Sequence, residues 1–523
     1  MIIPRLLITC CIIKCLEGAK ILGVLSIPGG SHYILQSKLL KALAENGHDI
    51  TFITPYEYKG KLQNGTWTNI VLNGLDNYFQ DKLPTLKLFD DGKHSGIKKL
   101  FKFGNIVTEL SKVSLEHPKI QQLLKTNQTF DVVILDQVMN DCLKILAYHF
   151  KCPLILLNTV GAYPYLNGQV GNPSPISAVN PFFTNADKEK NMDFVQRVTH
   201  FFYFLVDYLL RELQLFPMHN QILKDLFPDP PDVKDLYYNV SLILLNSHVS
   251  LTKSVPLTPN MVEIGGYHID PPQKLPENLQ AFLDSAKEGA IYFSMGSQIK
   301  SKDMPLERRQ ILLNVFRRLK QKVLWKFEDE VLPGKPENVL IKSWMPQQDI
   351  LAHPNMKLFI THAGLLSNTE TIYHGVPALA TPIFGDQEMN AQSIVQGGYG
   401  LKLSYNDKNF TEENLYNMIQ ELLHNPKYRD NAKMRSQIYH DRPMTPLQTA
   451  VYWVEYVIRY KGARHLRVAD VGMPWYQYFM VDVVVALIFG MWVLLFVAKL
   501  AIRWFIGKIA RRTRGDEKKV KQN

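Results

Sequence analysis

Short continuous apolar runs alternate with helix-spaced apolar stretches near the start of this chain. Residues 21–26 form an apolar run, residues 31–46 carry apolar side chains at helical spacing, and Asp49–Thr54 is a second short run. Short apolar runs are typical of buried parallel strands, and the spacing between them is that of an amphipathic helix. Gly47 stands where a helix C-cap is expected. The segment therefore predicts a βαβ unit of an α/β fold.

The same pattern recurs in the second half of the chain. Residues 357–360 are an apolar run, residues 367–374 suit a helix closed by Gly375, and residues 378–381 suit the next strand. Between the first strand and the helix lies the turn 361–364. A strand, a glycine turn and a helix start leave free backbone N–H groups facing outward, so this turn is suited to an anion such as a diphosphate.

Both ends of the chain carry targeting or membrane segments. Residues 1–18 combine a basic residue, a short apolar run and small residues, which predicts a secretory signal peptide. Residues 483–498 are uncharged and strongly apolar, and aromatic residues precede them from Trp475 onward. We predict one transmembrane helix with its aromatic belt within residues 475–502 and a cytosolic basic tail at residues 503–523.

Positive charge is concentrated in that tail. The net charge is +11, and from Lys499 to the end the chain has nine basic and two acidic residues. The remainder is close to neutral, which argues against a nucleic-acid partner because such a partner requires a basic face on the folded part. The positive-inside rule places the tail in the cytosol and the long N-terminal part in a lumen.

The last five residues, K-V-K-Q-N, resemble a K-x-K-x-x retrieval signal made by Lys519 and Lys521. A solvated basic tail that holds anionic lipid is the alternative. We expect a single-pass type I protein of the endoplasmic reticulum membrane with its long N-terminal part in the lumen. Four N-glycosylation sequons fit a luminal chain, at Asn64, Asn127, Asn239 and Asn409.

Cysteine content and motif absences limit the possible cofactors. Three of the five cysteines lie in the first 18 residues, which leaves Cys142 and Cys152 as buried free thiols. Neither a dinucleotide fingerprint, a P-loop nor a D-x-D motif occurs in the sequence. We therefore predict no metal and no cofactor.

Polar residues follow the strand 357–360 at fixed offsets in the string T-H-A-G-L-L-S-N-T-E. His362 can donate to a phosphate oxygen, and Gly364 allows close backbone approach. Ser367 and Glu370 lie in the first turns of the helix, where Glu370 can accept from both hydroxyls of a ribose. An ordinary turn with a capping His and a solvated Glu is the bland alternative, and the whole set disfavours it.

Asp386 and Gln387 follow the next strand, at the carboxyl edge of the sheet where ligands bind in doubly wound folds. A carboxylate beside an amide is suited to several sugar hydroxyls. Together with the preceding turn, these residues predict a site for a nucleoside diphosphate sugar.

His32 and Asp136 are the candidate catalytic pair of the first half. His32 lies at the first turn of the first helix, whose electropositive N-terminus favours the neutral, basic imidazole. Asp136 stands at the carboxyl end of the apolar run 130–135, so both side chains are expected at one sheet edge. An Asp held against the far ring nitrogen would fix the tautomer and stabilise the imidazolium. The residues alone leave it equally open that Asp136 caps the next helix.

These motifs together resemble the UDP-glycosyltransferase family, in particular its membrane-bound invertebrate members. The resemblance runs nearly end to end and includes Y-F-S-M-G-S at residues 292–297 and W-M-P-Q at residues 344–347. In animal members the G-S-H turn carries the catalytic His and D-V-V-x-x-D carries its Asp, which assigns those roles to His32 and Asp136.

The resemblance implies a GT-B fold, in which two Rossmann-like, doubly wound α/β domains face each other across a cleft. The chain then divides into an acceptor domain at 19–262, a linker at 263–282, a UDP-sugar domain at 283–440, and a return helix with the lead-in to the membrane at 441–474.

Matched positions assign the donor contacts. Trp344 would stack on uracil, and Gln347 would lie near the nucleoside. Ser294 and His362 would contact the diphosphate, Glu370 the ribose, and Asp386 and Gln387 the sugar.

Two departures bear on the donor. Leu366 replaces an Asn common in plant and vertebrate members, so a side-chain hydrogen bond is lost there, and Ala363 replaces the first Gly of the invertebrate G-G-L-L-S run. Invertebrate members mostly use UDP-glucose, and no Arg in the motif would meet the carboxylate of UDP-glucuronate. We therefore expect UDP-glucose.

The resulting expectation is an inverting transfer of glucose to a hydroxyl of a small lipophilic acceptor, with His32 as the base and a β-glycoside and UDP as products. Three alternatives stay open: a UDP-glucuronosyltransferase, a transferase for lipid or protein acceptors, and a luminal binding protein without the chemistry. Self-association is also left open. The aromatic-rich stretch 193–215 could line the acceptor pocket, press on the membrane or form a buried helix.

Overall fold

The computed structural model describes residues 18–82, 96–175, 192–252, 254–297, 299–383 and 385–520. The signal peptide predicted over residues 1–18 falls almost entirely outside these ranges, as does Lys521. Contacts divide the chain into two units, the first ending at Val468 and the second beginning at Ala469.

The first unit contains two parallel sheets, and the earlier one has seven strands. These are β1 (Lys20–Val24), β2 (Asp49–Thr54), β3 (Thr66–Val71), β4 (Val132–Asp136), β5 (Leu154–Asn158), β6 (Leu242–Leu245) and β7 (Met261–Glu263). Their spatial order is β3-β2-β1-β4-β5-β6-β7, with every neighbouring pair parallel. The strands β4, β5 and β6 are buried throughout, as apolar runs covered on both faces must be.

The second sheet repeats the arrangement with six strands. These are β8 (Ala290–Ser294), β9 (Lys322–Lys326), β10 (Val339–Lys342), β11 (Met356–Thr361), β12 (Ala378–Ala380) and β13 (Gly400–Lys402). Their order is β10-β9-β8-β11-β12-β13, again parallel. Both sheets therefore have the doubly wound order of a Rossmann-like fold.

Helices cover both sheets of the first unit. Those associated with the first sheet are α1 (Gly30–Glu45), α2 (Leu75–Lys82), α3 (Gly96–Glu116), α4 (Pro118–Leu124), α5 (Ile145–His149), α6 (Pro164–Asn167), α7 (Phe194–Leu210), α8 (Phe216–Leu226) and α9 (Val233–Tyr238). Those that follow are α10 (Glu277–Asp284), α11 (Leu306–Arg318), α12 (Gln347–Ala352), α13 (Leu365–His374), α14 (Gln387–Gln396), α15 (Glu412–His424), α16 (Pro426–His440) and α17 (Pro446–Arg459).

The helix α17 lies late in the sequence but packs on the first sheet. Its Ala450, Val454 and Val457 belong to the same buried cluster as Leu39 and Leu43 of α1. The chain after residue 440 thus packs against the first sheet through α17. The predicted domain boundaries themselves stay predictions; the first sheet runs to the end of β7 and the second begins with β8.

The order of strands reverses between β1 and β4 in the first sheet and between β8 and β11 in the second. At such a switch point the connecting helices leave on opposite faces, and a crevice opens at the carboxyl ends of the strands. His32 follows β1 and Asp136 ends β4, while Ser294 ends β8 and His362 follows β11. The sequence-predicted site residues thus flank both switch points.

The second unit consists of α18 (Trp475–Tyr478) and the long helix α19 (Val481–Val520). The part Val481–Arg511 is apolar, with a mean hydropathy of 2.6 in its most apolar window, and none of that window is buried. Its length and composition are sufficient to cross a membrane. The predicted segment 483–498 lies inside this helix, which continues beyond the expected end near residue 502.

One local expectation was wrong in part. The stretch 193–215 is helical, as α7 followed by a π-helical turn at Arg211–Leu215, and Asp193 and Gln196 form a capping box at its start. The alternative of a buried helix does not hold, because only His200 and Leu210 of α7 are buried. Apolar side chains on α7 such as Phe194 and Phe201 are 71% and 56% exposed.

Candidate active site

The helix α1 and the strand β4 bring His32 and Asp136 into contact. The Nδ1 atom of His32 lies 2.9 Å from Oδ2 and 3.1 Å from Oδ1 of Asp136. The Asp136 side chain is fully buried, and that of His32 is 20% exposed. Because the carboxylate accepts a hydrogen bond from Nδ1, the proton of the neutral ring stays on Nδ1 and Nε2 is the basic nitrogen.

The environment of His32 raises its pKa above the ordinary value of 6.5. Burial acts to lower it, but the charge of Asp136 and the hydrogen bond to Asp136 outweigh burial, and the charge of Asp386 adds to them. The sequence argument weighed two opposing influences, a helix N-terminus that disfavours the imidazolium and an Asp136 carboxylate that stabilises it. In the structure the buried carboxylate is in direct contact, and the net shift of the pKa is upward.

Two buried polar side chains hold the surrounding backbone in place. Gln36, one turn after His32, donates from Nε2 to the carbonyl oxygens of Val24 (3.1 Å) and Ile134 (2.9 Å). Asn140 donates to the carbonyl oxygen of Asp136 at 2.8 Å. The first two bonds join α1 to the end of β1 and to the middle of β4, which fixes His32 and Asp136 relative to each other.

Asp386 brings the second sheet to the same place. It lies at the start of α14 and accepts a hydrogen bond of 2.7 Å from Asn390, which also donates to the Ala363 carbonyl oxygen at 3.0 Å. Burial raises the pKa of Asp386, while the bond from Asn390 and the charge of His32 act in the opposite direction. The carboxylate from the second sheet and the imidazole from the first therefore interact electrostatically.

The imidazole of His362 lies between two glycines. A Cβ atom on Gly364 would come within 2.5 Å of its Nε2 atom, and one on Gly296 within 2.5 Å of its Cε1 atom. Gly296 also has φ +81°, a backbone conformation that favours glycine. The sequence argument gave Gly364 the role of close approach to a ligand, and the structure adds that its missing Cβ makes room for His362.

Burial next to a cation keeps His362 uncharged. Burial and the charge of Lys326 lower the pKa of His362 to about 4. At neutral pH the ring is therefore a neutral hydrogen-bond donor. Immediately after it the first N–H groups of α13 begin, with Gly364 as N-cap, so an imidazole and a helix N-terminus face the same space.

Lys326 supplies a positive charge at this edge. It ends β9, the neighbour of β8, and its Nζ donates to the Gly296 carbonyl oxygen at 2.7 Å and approaches Glu328 at 3.3 Å. Ser294 ends β8, and its hydroxyl accepts from the Gly296 amide at 3.2 Å. A cation, a hydroxyl, a neutral imidazole and a helix N-terminus together suit a diphosphate.

Glu370 is the centre of a second polar cluster. Its Oε2 accepts from Gln347 at 2.6 Å, and its Oε1 accepts from Gln348 at 3.3 Å. Gln347 also donates to the Ser367 hydroxyl at 3.0 Å. His268 Nε2 lies 3.4 Å from Glu370 Oε1. Three of the predicted donor residues are thus brought together, and both carboxylate oxygens remain suited to accept hydroxyl donors.

The segment that contains His268 connects this cluster to the first sheet. The Asp270 amide donates to Gln348 at 3.2 Å, and the Gln273 amide donates to Asp349 at 2.7 Å. The Asp270 carboxylate forms an ion pair with Lys38 of α1. Side chains therefore join Glu370, through the segment after β7, to the helix that carries His32.

Two predicted residues stand apart from these clusters. The Trp344 side chain is 69% exposed, which leaves its face open to a planar ring. Gln387 is buried, and its Oε1 accepts from the Ile383 amide at 2.9 Å, so its oxygen stabilises the loop before α14.

Leu366 packs against the buried cluster of the first sheet, which includes Leu35 and Tyr267. An apolar side chain at this position therefore closes a contact between α13 and the first sheet. Ala363 has φ +62°, the left-handed conformation for which glycine is better suited.

Sequence reasoning missed four polar or glycine residues of the site: Gly296, Lys326, His268 and Asn390. Lys326 could have been found, because it ends an apolar strand in the same way that Asp136 does. The other three carry no such signal, since their roles depend on contacts with residues far away in the chain.

The accessory sites can also be located. All four sequon asparagines are exposed. Cys142 is a buried and Cys152 a half-buried free thiol. The backbone of Lys519 lies in α19.

Two doubly wound parallel sheets, with a His–Asp pair at one switch point and an anion-suited turn at the other, form the GT-B fold of glycosyltransferases. A UDP-glucose:anthocyanidin 3-O-glucosyltransferase solved in complex with UDP has the same fold, with a TM-score of 0.55 and 17% identity over 85% of this chain and 100% of that one. A UDP-glucosyltransferase from Polygonum tinctorium gives a TM-score of 0.57 and 17% identity over 84% of this chain and 99% of that chain.

Sequence relatives narrow the class. The family model for UDP-glucoronosyl and UDP-glucosyl transferases matches residues 22–519. The UDP-glycosyltransferase UGT5 of Dactylopius coccus is 36% identical over 90% of this chain and 89% of its own length. The human 2-hydroxyacylsphingosine 1-beta-galactosyltransferase is 31% identical over 94% of this chain and 90% of its own length. The chain belongs to the UDP-glycosyltransferase family, and it is an enzyme that transfers sugar from a UDP-sugar.

Proposed function

We propose that the enzyme is an inverting glucosyltransferase that uses UDP-glucose and a small lipophilic alcohol or phenol, with His32 as the general base. The observation that carries the proposal is the contact of His32 with the buried Asp136, opposite Asp386 of the second sheet. An acceptor bound at the first sheet and a sugar bound at the second would meet at His32.

In the proposed reaction, His32 Nε2 takes the proton of the acceptor hydroxyl as its oxygen attacks the anomeric carbon. The bond from that carbon to the diphosphate oxygen breaks on the opposite face, so the α-linked donor gives a β-glycoside. The proton remains on His32, where Asp136 stabilises the imidazolium. UDP carries away the electron pair of the broken bond.

The departing diphosphate needs positive potential. The N-terminus of α13, the neutral N–H of His362 and the Lys326 ammonium supply it from this chain's own groups. We therefore propose that transfer requires no metal ion. Turnover that survives EDTA supports this, and turnover restored only by added Mg²⁺ would refute it.

Glucose is favoured over glucuronate by the charge near the sugar position. Asp386 is the proposed sugar residue, and the charged side chain that affects its pKa is His32. A glucuronate carboxylate at that position would meet a negative group. The relatives' names include both a UDP-glucosyltransferase and a UDP-glucuronosyltransferase, so the donor has to be measured.

The test is UDP release from UDP-glucose and from UDP-glucuronate with a panel of phenols. We expect UDP-glucose to be preferred. His32→Ala should lower turnover by ~10²–10⁴-fold and leave UDP affinity nearly unchanged, because the donor site lies on the second sheet. His424→Ala, an exposed His on α15, is the matched control. Near-normal turnover of a folded His32→Ala protein would overturn the base assignment, and binding without any UDP release would identify a binding protein.

A lipid acceptor is the second candidate. The apolar helix α19 suits a membrane anchor, and one relative is named for transfer to 2-hydroxyacylsphingosine. The exposed aromatic side chains of α7 add apolar surface to the first unit. Transfer to membrane lipids in preference to every phenol of the panel would favour this candidate.

We further propose that the first unit lies in the lumen of the endoplasmic reticulum. The apolar helix α19, the basic tail and the exposed sequons support this topology. Protease added to intact microsomes should remove only the last ~20 residues, and the glycans should be of the high-mannose type. Changing Lys519 and Lys521 to Ser should let the protein reach later compartments. Its glycans should then resist an endoglycosidase that removes high-mannose chains. Cleavage of the first unit in sealed vesicles would refute the orientation.

A further inference from the structure

A cavity of about 710 Å³ lies at the edge of the first sheet opposite to His32. Its walls are the residues just before β5 and β6, the loop after α8 and the turn after α17. His32 and Asp136 lie at the carboxyl ends of parallel strands, whereas this cavity lies at the amino ends. A strand of five residues such as β5 spans about 16 Å, so the cavity is separate from the proposed active site.

The lining of the cavity is strongly basic. The cationic side chains are Lys125, Lys151, Lys461, Arg464 and Arg467, and the lining contains a single carboxylate, that of Asp229. Across the residues that the structure describes, none of the five cations forms an ion pair. Arg467 donates to the Tyr238 carbonyl oxygen at 2.5 Å.

Two of these cations repel each other. Burial and the charge of Arg464 lower the pKa of Arg467. Like charges that are brought together without an ion-pair partner favour binding of an anion, which removes the repulsion and forms charge-assisted hydrogen bonds. Guanidinium groups are suited to the planar, bidentate recognition of phosphate.

The floor of the cavity is apolar. Ile145, Leu154 and Val240 are part of the lining and are 2%, 3% and 3% exposed. The partly buried Leu226 and Phe227 continue this surface. A free inorganic anion would leave the apolar part unused, whereas a ligand with an anionic head and a hydrocarbon part would use both.

We propose that this cavity binds a phosphate-headed amphiphile, with its head among Lys151, Arg464 and Arg467 and its hydrocarbon on the apolar floor. The position of the lining residues in the sequence favours a membrane lipid as this ligand. The turn that supplies Lys461, Arg464 and Arg467 is followed, eight residues after Arg467, by Trp475 at the start of the aromatic stretch that precedes the apolar helix α19.

The direct test is calorimetric titration of the purified full-length protein in detergent. The probes are dioctanoyl phosphatidic acid, dioctanoyl phosphatidylcholine and glycerol 3-phosphate. Because the Asn239 sequon lies on the cavity lining, N-glycans are trimmed first. The phosphatidic acid should bind at least tenfold more tightly than either other probe. Equal binding of glycerol 3-phosphate would show a site for a free anion, and equal binding of phosphatidylcholine would show that the charge is not recognised; either result overturns the proposal.

A thiol reports whether the ligand occupies this cavity. Cys152 lines it and is half-buried, while Cys142 is fully buried elsewhere. Burial raises the pKa of the Cys152 thiol to about 12, so alkylation is followed at pH 9 by mass spectrometry of the two peptides. Phosphatidic acid should slow modification of Cys152 and leave Cys142 unmodified throughout. An unchanged rate at Cys152 under saturating lipid would place the bound lipid elsewhere.

Paired variants separate the site from a general charge effect. Lys151→Glu/Arg464→Glu removes two cations whose side chains form no hydrogen bond or ion pair in the described structure, so folding should be preserved. We expect phosphatidic acid binding to weaken by at least about tenfold, since each charge-assisted hydrogen bond contributes about that factor. The control Lys427→Glu/Lys433→Glu makes the same charge change on exposed positions of α16.

The melting temperature of both variants verifies the fold. Retained affinity in the cavity variant, or an equal loss in the control, would refute the proposal.

Discussion

The exchange Asp136→Asn tests the proposed base most directly, because it removes one charge and keeps the shape of the side chain. Asp136 is fully buried and lies 2.9 Å from His32 Nδ1. In the proposed mechanism a proton moves onto His32 in the transition state, and the carboxylate would stabilise the imidazolium that forms. In the variant that stabilisation is lost, while the burial that disfavours the charged ring is retained.

The size of the effect follows from this geometry. With about 4 Å between charge centres and an effective dielectric constant of about 20, the attraction is about 4 kcal/mol. A hydrogen bond to a charged group contributes about 1.5–3 kcal/mol net. We therefore expect a loss of about 2–4 kcal/mol in transition-state stabilisation, which is roughly a 30- to 900-fold decrease in kcat/KM.

The pH dependence distinguishes this explanation from a loss of structure. If the neutral imidazole is the base as proposed, the wild-type rate should fall as the pH drops through the raised pKa of His32. In Asp136→Asn the main cause of that upward shift is removed, and the acidic limb of kcat/KM should move to lower pH.

The assay is UDP release from UDP-glucose between pH 5 and pH 9. Asp131→Asn, an exposed position at the other end of the same strand, is the matched control and should keep the wild-type limb. An acidic limb that stays in place in Asp136→Asn, with kcat/KM within threefold of wild type, would refute the reasoning.

Two further changes test the proposed donor site, and a third tests a packing contact. Gly364→Ala places a Cβ 2.5 Å from His362, so UDP affinity should fall at least tenfold by calorimetry, whereas adding it to His362→Ala should cause no further loss. Lys326→Met should weaken UDP about tenfold but leave uridine binding unchanged; an equal loss for both would mean that the lysine does not meet the diphosphate. Leu366→Asn removes apolar packing against the first sheet and should lower the free energy of unfolding by about 1 kcal/mol; unchanged denaturant unfolding would contradict that contact.

Local patterns were sufficient where a segment's role depends on its own residues. The strand Asp49–Thr54 has the predicted bounds, and α1 begins and ends within a residue of expectation. His32 and Asp136 are 104 residues apart, yet their contact could be anticipated, because neighbouring parallel strands end at one edge. Each residue lies at or just after the carboxyl end of a strand, and the parallel topology therefore predicts that the two side chains are close together.

The features that the sequence did not predict depend on contacts with other parts of the chain, which no local pattern encodes. The raised pKa of His32 comes from a balance between burial and two carboxylates, and its sign could not be read from a helix start. The role of Gly364 became clear only with the ring of His362 beside it. The aromatic content of residues 193–215 left three readings open, and it could not distinguish a covered helix from the exposed helix α7 that is observed.

Two hydrogen bonds and an ion pair link Glu370 through Gln348 and Asp270 to Lys38. This link has a thermodynamic consequence. It connects the proposed ribose carboxylate to the helix of the base, so occupancy at the nucleotide position and the placement of α1 are not independent. Any factor by which UDP-sugar tightens the acceptor must equal the factor by which the acceptor tightens UDP-sugar, because coupling free energies are reciprocal. The affinity measured for one substrate therefore depends on the concentration of the other substrate, and that concentration has to be stated with it.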